Sequence, residues 1–214
     1  MQPPRKEALK LAAASEALKF VGARSSAWRR QRRHCKFVCV IAKTARKSHQ
    51  RRCCRLRNEH DGVAQERGVR ILDLNDVAAI PIYVDGADEI DPGFALIKGG
   101  SAALTREKII PSASDCFVCV VDSSKLVPAL GTFSLPLEVI PMAASVVCRR
   151  VVAMGGTPRV RPHVTTDNGN VVLDIVGLSF TDPLTLEMER NQLPGVVYNG
   201  IFARRRADIR ISAN

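Results

Sequence analysis

Three short stretches of this chain carry residue types that could move protons on a small polar substrate. Asp85-Gly86-Ala87-Asp88-Glu89 sets two carboxylates three residues apart with small residues between them, so that backbone can approach a ligand beside both acids. The same five residues would serve equally well as a plain turn or a helix N-cap. Lys98-Gly99-Gly100-Ser101 places a cation before flexible glycines. That pattern can offer positive charge and backbone N–H groups to a phosphate or an enediolate oxygen, although many Gly-Gly pairs are only turns. Thr105-Arg106-Glu107-Lys108 puts one acid between two cations, which by itself suits a solvated helix face with ion pairs better than a catalytic base.

These stretches need elements to hold them. Val69–Val77 opens with alternating apolar residues and reads as a strand, and Ile80–Val84 as a second strand that runs into the acidic loop. Carboxyl ends of strands are where open α/β sheets place ligands. A loop at 97–101 then leads to a helix over 102–110, followed by a β-branched strand at 116–122 and a short strand at 136–141. From about residue 142 the order becomes helix (142–156), strand-turn-strand around Asp167-Asn168-Gly169 (158–178), helix (182–196) and a final strand (196–203). The spacing predicts an α/β fold: a larger Rossmann-like domain over 1–131, a smaller α+β domain over 132–204, and a tail, 205–214, that returns to the larger domain.

The formal charge of +11 is concentrated in one place. Residues 22–60 hold thirteen Lys and Arg against the single Glu59, a net +12 that leaves −1 for the rest of the chain. Four of the seven cysteines and three of the four histidines share that segment. The odd cysteine count points away from a secreted disulfide framework. No apolar run is long enough to span a membrane, and Met1–Val21 reads as an amphipathic helix rather than a secretion signal. The expectation is a cytoplasmic protein without membrane attachment.

Taken together and in order, DGADEIDPGFALIKGGSAALTREKII (85–110) resembles the signature of type A ribose-5-phosphate isomerases. The likeness continues through VDSSK (121–125), PLEVIPMA (136–143), TDNGNVVLD (166–174) and LPGVV…GIFA (193–203). It covers roughly 1–21 and 62–208. The resemblance implies interconversion of ribose 5-phosphate and ribulose 5-phosphate in the non-oxidative pentose phosphate pathway, through a cis-enediolate and without metal or organic cofactor. It implies a homodimer or homotetramer, and a ferredoxin-like small domain beside the Rossmann-like one. By position it makes Glu107 the general base, Lys98 the cation beside the reacting oxygens, and Asp85 the group for hydroxyl proton transfer and ring opening. Asp85, Gly86, Ala87, Asp88, Lys98, Gly99, Gly100, Ser101 and Lys125 would bind substrate.

The family also carries a Gly-rich phosphate loop, approximately GVGxGST, after its first strand. At that place this chain reads Trp28-Arg29-Arg30-Gln31-Arg32-Arg33-His34-Cys35, side chains that cannot make a tight glycine turn. Codons for those eight residues, read one base later, can spell Gly-Val-Gly-(Asn or Ser)-Gly-x-Thr-Ala. Arg51-Arg52-Cys53-Cys54 can likewise become Gly-Ala-Val-Ala. Some or all of 22–60 thus reads as an out-of-frame translation. Ser101 and Arg206 also stand where glycines are usual in the family. The missing loop leaves a second reading open, a member that binds sugar phosphate or only oligomerises. Nucleic-acid binding by the arginine runs lacks aromatic platforms beyond Trp28 and Phe37. A zinc site from Cys35, Cys39, His49 and Cys53 matches no standard ligand spacing.

Overall fold

Runs of β-branched and aromatic residues, broken by acidic or glycine turns, define the strands. In the computed structural model the described residues are 39–41, 52–54 and 70–213 except 79. The amphipathic N-terminal segment, the Trp28–Cys35 stretch and, of the residues weighed for zinc, Cys35 and His49 lie outside them. The elements run β1 (Cys39–Ile41), β2 (Arg52–Cys54), β3 (Arg70–Leu72), β4 (Ile82–Asp85), β5 (Glu89–Ile90), β6 (Leu96–Ile97), α1 (Leu104–Ser112), β7 (Phe117–Asp122), β8 (Leu135–Val139), α2 (Ala144–Ala153), β9 (Thr157–Val160), β10 (Val171–Val176), α3 (Pro183–Asn191), β11 (Val196–Asn199), β12 (Ile201–Phe202) and β13 (Ile209–Ala213). They fall into two compact units, one of residues 1–86, 110–125 and 207–214, the other of residues 87–109 and 126–206.

The first unit is built on a sheet of order β1-β4-β7-β13. β4, β7 and β13 are mutually parallel neighbours, and β1 closes the edge antiparallel to β4. This is a Rossmann-like open sheet. Ile82, Val84, Val118 and Ile211 form its core, with Cys116, Val120 and Ile209 packed against them. Tyr83 and Phe117 pack tilted against each other, 4.9 Å between ring centroids. The strand expected over 69–77 is shorter, because Asp73 accepts from the Asn75 N–H at 2.9 Å and caps a 3₁₀ turn over Leu74–Asp76. Local Asx chemistry outcompetes the ladder there.

The second unit carries an antiparallel sheet of order β11-β8-β10-β9. With α2 and α3 it follows the β-α-β-β-α-β connectivity of ferredoxin-like folds. Leu135, Leu137, Val139, Leu173 and Ile175 meet Val147 and Val151 from α2 and Leu186 from α3 in its core. α3 starts where Asp182 accepts from the N–H groups of Leu184 and Thr185, with Pro183 at its first turn. The Asp-Asn-Gly turn forms as expected: Gly169 has φ +79 and donates to the Thr166 carbonyl at 2.9 Å.

The stretch Val196–Ala203, which reads as one strand, is two. β12 leaves the antiparallel sheet and pairs with β6 in a small sheet of order β12-β6-β5. The break falls at Gly200, whose N–H donates to the Pro136 carbonyl at 2.8 Å and whose carbonyl accepts from the Lys98 N–H at 2.9 Å. A side chain at 200 would collide with the Lys98 carbonyl and the Pro136 ring. The glycine thus seats Lys98 against β8.

Candidate active site

Lys98 emerges from β6 and Glu107 sits in the first turns of α1; both are buried, at 3% and 6% exposure. Lys98 Nζ lies 3.4 Å from Glu107 Oε2, and Ser101 Oγ is 3.4 Å from Glu107 Oε1. The solvated-face reading of Thr105–Lys108 therefore does not hold: Thr105, Glu107 and Lys108 all point into the protein. The helix tolerates them because each polar head has a partner. Thr105 donates to Glu138, and Lys108 donates to Glu187 Oε1 at 2.6 Å and to the Ile201 carbonyl. The Phe202 ring centroid lies 5.8 Å from Lys98 Nζ and 4.4 Å from Lys108 Nζ. Burial pulls the Lys108 ammonium below its ordinary pKa, against the attraction of Glu187. Pro111, inside α1, has no N–H to donate to the Glu107 carbonyl four residues back, and the helix ends one residue later.

Between Lys98 and α1 runs a tight turn. Gly99 has φ +112, and the Ala102 N–H returns to its carbonyl at 2.9 Å. The Gly100 N–H donates to Asp88 Oδ2 at 2.8 Å, and a Cβ at 100 would come within 2.8 Å of that carboxylate. Ala102 takes φ +64, the left-handed region that costs a non-glycine residue roughly 1–2 kcal/mol. Buried charge, glycine turn and a strained residue thus meet within ten positions of sequence. Such a constellation can exchange a proton through Glu107 and stabilise an adjacent oxyanion through Lys98.

Asp88, Lys98, Gly99, Gly100, Ser101 and Glu107 are brought together in the second unit, where Ala87 opens the chain segment. Asp85, Gly86 and Lys125 belong to the first unit, at the carboxyl edge of its parallel sheet. There the Asp85 carboxylate accepts the Tyr83 hydroxyl at 2.5 Å and the Gly86 N–H at 2.8 Å. Lys125 closes the 3₁₀ turn after β7, which Asp122 caps by accepting from the Ser124 N–H at 3.0 Å.

Two supports were not legible in the sequence. Glu138, fully buried on β8, accepts from Thr105, from Thr166 Oγ1 at 2.8 Å, and from the side-chain amides of Asn168 (3.0 Å) and Asn170 (2.8 Å). Arg106 adds a bond to the Asp167 carbonyl at 3.0 Å. Arg161, just past β9, reaches the carbonyls of Gly99 and Gly100. The Thr-Asp-Asn-Gly-Asn run announced a turn; nothing in its spacing announced a buried acceptor. Among the described residues, no group of three or more His, Cys, Asp or Glu stands close enough to hold a metal ion, and no helix is long and apolar enough to cross a membrane.

Comparison with known proteins agrees with this fold. Residues 58–214 match the sequence model of the family described as ribose 5-phosphate isomerase A (phosphoriboisomerase A). A curated relative from Acidithiobacillus ferrooxidans, ribose-5-phosphate isomerase A, is 58% identical over 143 residues. That stretch is 67% of this chain but 65% of the relative, just under two thirds of its length. The crystal structure of ribose 5 phosphate isomerase A from Neisseria gonorrhoeae superposes with a TM-score of 0.82 at 33% identity, covering 98% of this chain and 93% of that one. A D-ribose-5-phosphate isomerase solved with phospho-erythronic acid gives a TM-score of 0.70 at 39% identity, over 74% and 72% of the two chains.

Proposed function

The chain belongs to the ribose 5-phosphate isomerase A family, and on that premise we propose that it interconverts ribose 5-phosphate and ribulose 5-phosphate. The observation that carries the proposal is the buried Lys98–Glu107 pair, 3.4 Å apart beside the Gly99-Gly100 turn. In the open-chain aldose, Glu107 takes the proton from C2, leaving a cis-enediolate with its negative charge on the C1 oxygen; the C2 hydroxyl proton then passes to that oxygen, which moves the charge to the C2 oxygen. The same carboxyl returns the proton to C1, so the base ends as it began and no redox partner is consumed. Lys98, itself buried, supplies positive charge to the developing oxyanion. Asp88 holds the turn by its bond to the Gly100 N–H. The roles of Asp85 in ring opening and of Lys125 in substrate contact follow the family resemblance alone.

Glu107→Gln keeps the side-chain size and removes the base. Its turnover of ribose 5-phosphate, followed by ribulose 5-phosphate formation, is expected to fall by at least about a hundredfold. Phospho-erythronic acid, bound by a structural relative, should still be retained by the variant. Turnover equal to that of the unsubstituted chain would refute the assignment.

The same membership supports a homo-oligomer acting in the cytoplasm. Met142, Val146, Val152 and Met188 stay exposed on or beside α2 and α3, apolar surface of the kind that second copies cover. Sedimentation of the purified chain as a monomer at micromolar concentration would overturn that part.

A further inference from the structure

Arg161 faces two ways at once. Its Nε and Nη2 meet the two carboxylate oxygens of Asp174 at 2.9 and 2.5 Å, a bidentate pair that fixes the plane of the guanidinium. Its Nη1 donates to the Gly99 carbonyl at 3.0 Å and to the Gly100 carbonyl at 3.2 Å. Arg161 directly follows β9, Asp174 lies on β10, and the two strands pair antiparallel, so the fork is anchored on rigid elements.

A trans peptide points its C=O and N–H in opposite directions, and the described backbone has no cis bonds. Holding the carbonyls of 99 and 100 on the Arg161 side therefore holds the N–H groups of 100 and 101 on the other. The Gly100 N–H duly faces Asp88, at 2.8 Å. The Ser101 N–H is turned the same way, and the Ser101 hydroxyl lies toward Glu107. Glycines impose little preference of their own, and a Gly-Gly peptide can flip at small cost. A flipped peptide would aim a carbonyl, the negative end of the dipole, at an oxyanion site. Inside the turn the Ala102 N–H holds the Gly99 carbonyl at 2.9 Å; the Gly100 carbonyl is held from outside it, by Arg161.

We infer that Arg161, oriented by Asp174, is a positioning residue that acts with the Ala102 N–H to fix the peptide orientations of the Gly99-Gly100-Ser101 turn, and so keeps the Gly100 carbonyl turned away from the oxyanion side. Lysine cannot replace it, because a single ammonium cannot grip both Asp174 oxygens and both carbonyls. The catalytic consequence rests on the isomerase reading above; the effect on the turn does not.

The test uses Arg161→Lys and Asp174→Asn in the full chain, with two measurements. Amide hydrogen exchange at Gly100 should speed up by about tenfold or more, while the amides of Leu137 and Leu173 in the sheet keep their protection. kcat for ribose 5-phosphate should fall by about ten- to a hundredfold, with KM within about threefold, as expected for donors that act mainly in the transition state. Unchanged exchange at Gly100 overturns the inference, as does protection lost equally across β8 and β10, which marks a merely structural residue. Altered exchange with unchanged kcat in an active protein overturns the catalytic part. An unsubstituted chain that converts no ribose 5-phosphate sinks the isomerase reading instead, and the exchange result still decides whether Arg161 sets the turn.

Discussion

At the scale of single residues, the turn between Lys98 and α1 holds two positions with positive φ, and the consequences of changing them differ in sign. Gly99, at φ +112, has no room for a side chain: a Cβ would lie 3.1 Å from both Leu104 Cβ and Pro136 Cγ. Gly99→Ala is expected to cost about 1–3 kcal/mol in urea denaturation and to depress turnover, since strain and displacement fall beside Lys98. Ala102 already bears the left-handed penalty at φ +64. Ala102→Gly relieves roughly 1–2 kcal/mol of that strain but adds about 0.4–1 kcal/mol of unfolded-state entropy. The balance favours the variant by about 0.5–1 kcal/mol on those two scales. A loss of stability in Ala102→Gly would mean that the observed backbone angle is not what burdens this residue.

At the scale of elements, α1 is held from both sides by buried polar contacts rather than by an apolar stripe. On one side Glu138 gathers four neutral donors from α1 and from the 166–170 turn. Glu138→Gln keeps the shape but turns an amide N–H₂ toward groups that are themselves donors. It should cost about 2–3 kcal/mol in denaturant midpoint experiments, the penalty for leaving buried donors unmatched, and lower kcat by loosening α1, which carries Glu107. On the other side, Lys108 ties α1 to Glu187 of α3, whose second oxygen accepts the N–H groups of Ala203 and Arg204 at 2.8 Å each. Burial lowers the Lys108 pKa from its ordinary 10.5. Between the lowered value and 10.5 the unfolded chain therefore holds a proton that the folded chain has released, so this group makes stability rise with pH across that window. Lys108→Met should flatten that alkaline rise. It should also cost about 3–5 kcal/mol near neutrality, because Glu187 is left buried without its cation. A stability–pH curve unchanged in shape by the substitution would contradict the assignment.

At the scale of the whole molecule, charge and fold are distributed unequally. The excess positive charge lies in 22–60, while the family match runs over 58–214. Two short strands, β1 and β2, fall within the arginine-rich segment and pair with β4 and β3. The out-of-frame origin of that segment remains a proposal, resting on its composition and on the codon arithmetic. A gene in which 22–60 is restored to the alternative frame should encode a chain with a Gly-rich phosphate loop. We expect it to bind ribose 5-phosphate with KM lowered at least about tenfold, as backbone amides at a helix start replace bulky arginines. Equal KM for both versions, with the coding DNA resequenced intact, would end the frameshift idea.

Much of this protein could be read from its residues in order. Proton transfer needs an acid, a cation and a pliable turn, and the chain carries them in compact runs at 85–89, 98–101 and 105–108, each tied to an element whose hydrophobic period is local. The strands at 82–85, 117–122 and 135–139, the two helices of the antiparallel unit and the Gly169 turn follow from the same short-range rules. What only the tertiary structure decided is which polar groups are buried and what satisfies them. By its local pattern alone Glu107 suited a surface helix face, and only the longer resemblance marked it as the base; packing then enclosed it with Lys98, while Glu138 and Arg161 looked like ordinary strand residues until distant segments converged on them. Their partners lie 28 to 33 residues away for Glu138 and about 62 for the Arg161 contact with Gly99. A contact across that distance depends on how sheets and helices stack, which no local pattern encodes, and low dielectric then makes each such bond obligatory.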